Sequence, residues 1–572
     1  MKKLLFVSLL AILTVSVTAQ SVDKNFEKGA DYFWGQNGKQ QDYKKAVKYF
    51  KKSAKKFPAA QYNLGLCYLR GYGVEENDAE GAKWITLAAD NGLTAAQYHL
   101  GLLYESGIGV EQDSLKAFNL FHLAAEKELP EAQCELGAYY AEGVVTEQDH
   151  VEAIKWFRLA ALQGYADAQY YLGIGYYYGY GVEQNYTEAV KWFNYAALQD
   201  DPLAQYVLGY CYYMGYGVDQ DYTKAVKWFT SSAEQEYPVA QYYLALCYAN
   251  GYGMEVDHVK AVELFQESAK EEYDPAQYQL GMCYEFGTGV DQDLERAVVL
   301  YQLAAEQDNA DAQYRLAVCF YNGNGVKQNY TSAARLYYYA AEQEHVLAMF
   351  NLGNCYLEGK GVPQDYALAY QYFSKAADKE LTEAQYNLGY CNYYGYGVTQ
   401  DFNEAARWFN LAAEFEYAPA QFYLGLCYYN ASGVEQDYNK AFEYFSLSSD
   451  EISSSLYYKA LCYDKGHGVE QDYAQALEYL QKLADDNHAA AQQLLATYYH
   501  YGYAVNVNYD TAFDLYTRAA NQGNVDAQYG LAICYYYGLG VERDLAEFNK
   551  WIVLAAQNGH PESTTLVSEL GL

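Results

Sequence analysis

Nine histidines are the first residues to test for chemistry: His99, His122, His150, His258, His345, His467, His488, His500 and His560. No two stand at i and i+4, and no Cys-x-x-Cys occurs, so the sequence offers no ligand cluster for zinc. Turns of the form Gly-x-Gly-Val recur along the chain, but each follows a helical pattern, whereas a phosphate loop or a dinucleotide fingerprint follows a strand. Ser21-x-x-Lys24 and Ser53-x-x-Lys56 match a serine-nucleophile motif by letter, without the Ser-Asp-Asn and Lys-Thr-Gly segments that complete it. No catalytic constellation is found, and neither an enzymatic reaction nor a cofactor or metal is expected.

Cysteine gives a clearer answer. Of 11 cysteines, Cys67, Cys211, Cys247, Cys283, Cys319, Cys355, Cys391, Cys427, Cys462 and Cys534 occupy one slot of a repeating pattern, and Cys134 falls out of phase. Equivalent atoms in neighbouring stacked helix pairs stand roughly 8–10 Å apart or more, beyond the ~7 Å that bridged Cα atoms tolerate. Core thiols are expected, and not a disulfide framework.

Tyrosine is the anomaly, at 70 residues. Many recur at fixed positions, as Tyr206, Tyr212 and Tyr222 do, and read as packing. Others fall off the predicted core face, at the fourth, seventh, tenth and eleventh places of each repeat. Tyr171, Ile174, Tyr177, Tyr178, Tyr210, Tyr213, Met214, Tyr243 and Leu246 form one such tract. Tyr390, Tyr393, Tyr394, Tyr423, Leu426 and Tyr429 form a second, adjoined by Asn351, Asn354 and Asn387. Tyrosine supplies rigid, amphipathic contact area at small entropic cost, which suits a recognition surface. Packing between repeats is the competing explanation.

The elements that position these residues are set by a 36-residue period. Ala204 opens AQYVLGYCYYMGYGVDQDYTKAVKWFTSSAEQEYPV, and Ala168 and Ala240 open close copies. Ala204, Leu208, Cys211, Tyr212 and Gly215 lie at i, i+4, i+7, i+8 and i+11, which predicts a helix, A, with one apolar face. Gly209 leaves room there for a neighbouring helix. Gly215 and Gly217 predict its end, with Val218 as the hydrophobic partner of the cap. Asp221 is placed to cap a second helix, B, whose core face carries Tyr222, Ala225, Phe229 and Ala233. One repeat earlier, Asn185 and Glu188 have the spacing of a capping box. Neither helix buries its face alone, so pairs must stack on pairs.

The pattern Ala-Gln-Tyr-x-Leu-Gly-x-x-Tyr-x-x-Gly-x-Gly-Val, followed by an Ala-x-x-Trp-Phe helix and a double alanine, resembles the Sel-one-like repeat, a relative of the tetratricopeptide repeat. It recurs about fifteen times in register. The resemblance implies an all-α, right-handed α/α superhelical solenoid of helix-turn-helix repeats, used as a scaffold for binding proteins, with the two tyrosine tracts on its concave A-helix wall. Cysteine-rich secreted members carry paired cysteines that clamp each repeat, a pattern this chain lacks.

Residues 1–19 read as a signal peptide, with Lys2 and Lys3 before an apolar run from Leu4 to Val17 and small residues up to Ala19. That run is short for a membrane span, and no cysteine follows it for lipidation, so an exported chain with no stable membrane insertion is expected. Residues 20–59 form a divergent capping repeat with a lysine-rich B helix. Residues 60–560 hold the array, with regular repeats opening at Ala60, Ala96, Ala132, Ala168, Ala204, Ala240, Ala276, Ala312, Ala348, Ala384 and Ala420. The register slips by one residue near Glu451 to Ser455, and residues 561–572 form a C-terminal capping helix. A formal net charge of -35 argues against nucleic acid and anionic membranes as partners. Peptide or protein binding by an exported scaffold is the reading the sequence favours. Carbohydrate binding is the alternative, because tyrosine faces also stack on sugars.

Overall fold

A computed structural model describes residues 23–572, and the leader expected at 1–19 lies outside the described residues. The described residues form helices of ten to thirteen residues joined by short loops, without strands. They divide into two compact units, Met1–Asp293 and Leu294–Leu572. In the first, A helices such as Pro130–Glu142, Ala166–Tyr178, Pro202–Met214 and Pro238–Asn250 alternate with B helices such as His150–Leu162, Tyr186–Ala197 and Tyr222–Ala233. In the second, A helices including Thr382–Tyr394 and Ala418–Asn430 alternate with B helices including Phe402–Glu414 and Tyr438–Ser448, and the last helix is Pro561–Leu570. The fold is an α-helical solenoid of about fifteen repeats, as the period predicts.

Local chemistry sets the helix ends. Gly215 adopts φ 80 and gives its N–H to the Cys211 carbonyl, closing the A helix in the left-handed form that glycine accepts without strain. Asp221 then starts the B helix by accepting the Lys224 N–H at 3.0 Å. At Asn185 the side chain accepts the Glu188 N–H at 3.1 Å. The reciprocal arm of the expected capping box is not made there. The Asn185 N–H is already donated to the Tyr176 carbonyl at 2.8 Å, and the Glu188 carboxylate turns to Lys191.

Within a pair, a Cβ on Gly209 would stand 2.8 Å from the Phe229 ring, so glycine admits a phenylalanine that is wholly buried. Burial of that size stabilises by about 1.5–3 kcal/mol. Between pairs, Gly217 (φ 71) lies against the backbone of Tyr186, the first residue of the preceding B helix, where any Cβ would strike the carbonyl. Its neighbour Tyr216 stacks on the Tyr186 ring at 5.3 Å, and Tyr252 on Tyr222 at 4.8 Å. The second compact unit repeats the device, with Tyr396 on Tyr366 at 4.9 Å and His467 on Tyr438 at 4.0 Å. The second glycine, read from sequence as part of a helix stop, therefore also serves the joint between repeats.

The glutamine of Ala-Gln-Tyr forms a second joint. Gln205 is buried; its amide donates to the Ala197 carbonyl at the end of the preceding B helix, 3.2 Å, and its oxygen accepts from Gln235 after its own B helix, 2.9 Å. Gln133 with Gln163, Gln169 with Gln199 and, in the second unit, Gln313 with Gln343 and Gln492 with Gln522 repeat the pattern. In two of the repeats that lack the outer partner, the oxygens of Gln241 and Gln385 are buried without a hydrogen bond.

The register slip removes one specific residue. Most B-to-A turns carry a residue with positive φ, such as Glu236, Glu416 or Asn487, and the turn between Ser448 and Ser453 has none. Leu456 also replaces the joint glutamine there, and a Ser448–Ser455 hydroxyl contact of 2.8 Å takes its place. All eleven cysteines are free thiols, ten of them buried and Cys283 half-buried. Burial pushes the Cys211 and Cys427 thiols up to about 12.

A candidate recognition face on the A helices

The residues singled out by sequence divide by exposure. In the first compact unit Tyr178 (55%), Tyr171 (42%) and Met214 (41%) are exposed. Ile174, Tyr177, Tyr210, Tyr213, Tyr243 and Leu246 are half-buried. The rings join through edge-to-face and tilted contacts across three repeats. Tyr178 meets Tyr177 at 4.8 Å, Tyr177 meets Tyr216 at 5.9 Å, and Tyr216 meets Tyr210 at 6.2 Å. Tyr210 then meets Tyr243 at 5.4 Å, and Tyr243 meets Tyr213 at 5.9 Å. Tyr216, absent from the sequence-based set, completes the connection. Burial pushes the hydroxyls of Tyr177, Tyr210, Tyr213 and Tyr243 upward, so they remain protonated donors at neutral pH.

Fourth-place tyrosines serve the core as well. Tyr171 stacks on Phe157 at 5.1 Å and Tyr243 on Phe229 at 5.5 Å, each a phenylalanine of the preceding B helix. The packing explanation thus holds for one face of these rings.

Beside Tyr171 a cavity of about 220 Å³ opens, lined among others by Glu142, His150, Phe157, Ile174 and Tyr180. Its origin lies in three small residues on its wall. Ala138 and Ala141 stand where the repeat at Ala204 has Tyr210 and Tyr213, and Gly175 stands in the cysteine slot.

The same helix positions carry acids one repeat earlier. Glu135 and Glu142 occupy the fourth and eleventh places of the repeat at Ala132, and Glu105 the tenth place of the one before. Burial, then the carboxylates of Glu105, Asp167 and Glu142, raise the Glu135 carboxyl to about 7, with no cation among its neighbours. Tyr139 donates to Glu105 and Tyr165 to Asp167, both at 3.1 Å. Sequence reasoning missed this cluster; the visible signal was glutamate at places where other repeats have tyrosine or alanine.

In the second compact unit Tyr394 is 44% exposed, and Tyr390, Tyr393, Tyr423 and Tyr429 are half-buried. Tyr390 packs on Tyr394 at 4.6 Å and on Tyr423 at 5.7 Å, and the hydroxyls of Tyr394 and Tyr423 lie 3.3 Å apart. Tyr429 is drawn to the next repeat, its hydroxyl 3.0 Å from His467 Nδ1. Asn387 donates to Asn354 at 3.2 Å, so these two amides partly satisfy each other.

A family model described as the Sel1 repeat matches fifteen successive segments, from 23–56, 58–93 and 94–129 to 489–524 and 525–560. Among solved structures, the chain is similar to c5321, a protective antigen present in uropathogenic Escherichia coli strains displaying an SLR fold. The two share 34% identity over 78% of this chain and 97% of that one, with a TM-score of 0.65. A Sel1 repeat protein from Oxalobacter formigenes is 28% identical over 59% of this chain and 97% of that one, with a TM-score of 0.42. Among the described residues no group of histidine, cysteine and carboxylate side chains is arranged to hold a metal ion, and no helix is long and apolar enough to cross a membrane.

Proposed function

Since the chain belongs to the Sel1 repeat family, we propose that it is an exported, non-enzymatic scaffold that holds a peptide segment of a protein partner on the A-helix face between Tyr171 and Leu246. The second tract, Tyr390 to Tyr429, is a further contact. The observation that carries this reading is the connected run of rings from Tyr178 through Tyr177, Tyr216 and Tyr210 to Tyr243. These rings also pack on the core, yet they keep part of their surface and their protonated hydroxyls at the A-helix face. A run of this kind offers anchors that lose little entropy on binding.

The test is the double substitution Tyr178→Ala with Tyr210→Ala, in a chain whose helical content and melting are unchanged. The partner is first captured from envelope extract, and the parent is screened in parallel on a glycan array. Truncating buried aromatic anchors commonly costs about 2 kcal/mol or more, so affinity should fall at least thirtyfold. An unchanged affinity would move the site to the outer B-helix surface, and saturable glycan binding in place of a protein partner would reassign the ligand.

A further inference from the structure

In five repeats a tyrosine at the tenth place sits in the same socket. Tyr177, Tyr213 and, in the second compact unit, Tyr321, Tyr393 and Tyr429 each meet the first ring of their own B helix edge to face, at 5.0–5.3 Å and 68–76°. Each also lies 6.1–6.4 Å from the aromatic ring buried further along that helix. The following repeat closes the socket: around Tyr213 it supplies Tyr243 and Tyr252, both at 5.9 Å. In the repeat at Ala132 the four walls are present and the central ring is missing. His150 and Phe157 stand for Tyr222 and Phe229, and Tyr180 and Tyr171 stand for Tyr252 and Tyr243. They stack in the same pairs, His150 on Tyr180 and Phe157 on Tyr171, both at 5.1 Å. The tenth place is Ala141, and it lines the 220 Å³ cavity together with those four rings.

An apolar cavity of about 150 Å³ already accepts benzene, so this one has room for a ring. Its lip is open to solvent, since Tyr171 and Tyr180 are 42% and 47% exposed. Tyr180 also stacks on Tyr178 at 5.3 Å, so the cavity runs on into the tyrosine tract. We propose that this socket takes the side chain of a tyrosine from the bound partner, in the place that the chain's own tyrosine fills elsewhere, a step that rests on the peptide-binding reading above. The filled sockets show the fit: ring edges meet ring faces at the spacing that aromatic pairs favour. The walls are stacked on each other without the incoming ring, so little is lost in organising them. A small tenth residue elsewhere makes no such socket. Ala249 holds that place in the repeat at Ala240, but the next repeat brings Gln279 and Thr288 where Tyr171 and Tyr180 would stand, and two aromatic walls are missing.

The experiment uses the full chain in calorimetric titrations with two probes: p-cresol, the ring of tyrosine, and 4-methylcyclohexanol, its saturated counterpart. p-Cresol should bind one site saturably in the millimolar range, at least about fivefold tighter than 4-methylcyclohexanol, the margin of one aromatic contact. Ala141→Tyr, which gives this repeat the ring that five others carry, should abolish p-cresol binding. Ala138→Leu, which narrows the same wall with the residue that Leu66 and Leu246 supply at that place, should weaken it several-fold. Ala249→Tyr should leave it unaltered. The captured partner should bind the Ala141→Tyr chain at least about thirtyfold more weakly, as when a buried aromatic anchor is removed, while the helical content of that chain is unchanged. The assignment is overturned by absence of saturable p-cresol binding, by equal binding of 4-methylcyclohexanol, by an equal loss in Ala249→Tyr, or by a partner that binds the Ala141→Tyr chain as tightly as the parent. Tyr178→Ala with Tyr210→Ala should retain p-cresol binding. If those tyrosines prove essential for the partner while p-cresol never binds, the socket fails and the peptide-binding face stands.

Discussion

The crowded carboxyl of Glu135 makes stability on the N-terminal side of the array depend on pH in an unusual direction. Its proton is held more tightly in the folded chain, with a value raised from 4.5 to about 7. The stability tied to that proton is therefore complete below about pH 4.5 and is lost as pH rises through 7. The full span corresponds to about 3 kcal/mol at about 1.4 kcal/mol per unit. About 2 kcal/mol of it falls between pH 5.5 and 8. Glu105, Asp167 and Glu142 face the same carboxyl, so the effect is isolated by comparing the parent with Glu135→Gln. In a repeat array local opening is the meaningful quantity. The assay is hydrogen exchange of the helix Pro130–Glu142, corrected for intrinsic rates. In the parent, protection should fall roughly thirtyfold more than in the variant between pH 5.5 and 8, and at pH 8 the variant should be the better protected. A parent and variant with the same pH slope in that segment would refute the reasoning.

Three further outcomes are expected. Thiol counting without reductant should find close to eleven free thiols in denaturant, with Cys211 and Cys427 inert in the folded chain because burial raises both to about 12; bridged pairs from successive repeats would contradict the packing. Gln205→Ala should destabilise by about 1–2 kcal/mol, since it removes the buried hydrogen bond to the Ala197 carbonyl and the one from the Gln235 amide, and Gln241→Ala should cost less because its oxygen already lacks a partner; equal costs would remove the joint role. Segments around Glu451 to Asn508 should exchange before the regular repeats, as the slipped turn lacks both its positive-φ residue and its joint glutamine; uniform protection there would be inconsistent with this account.

Everything carried by near neighbours along the chain is legible in the residues alone. The 36-residue period, the two apolar faces, the glycine stop at Gly215, the aspartate cap at Asp221 and the shared cysteine slot depend on spacings of a few residues, and these repeat often enough to be read directly. The close approach allowed by Gly209 was legible too, because a glycine on a helical core face has few other uses. The contacts made about thirty residues apart emerge only when the repeats stack. Gln205 meets Gln235, Tyr186 stacks on Tyr216, and Gly217 touches the preceding repeat, and in sequence each looks like part of a helix or a turn. The capping box at Asn185 failed through a nearer contact, since its N–H is given to the Tyr176 carbonyl of the A helix just before it. The acidic cluster is the furthest from view: Glu105, Glu135 and Asp167 come from three A helices, and their mutual repulsion exists only once stacking has brought those helices side by side.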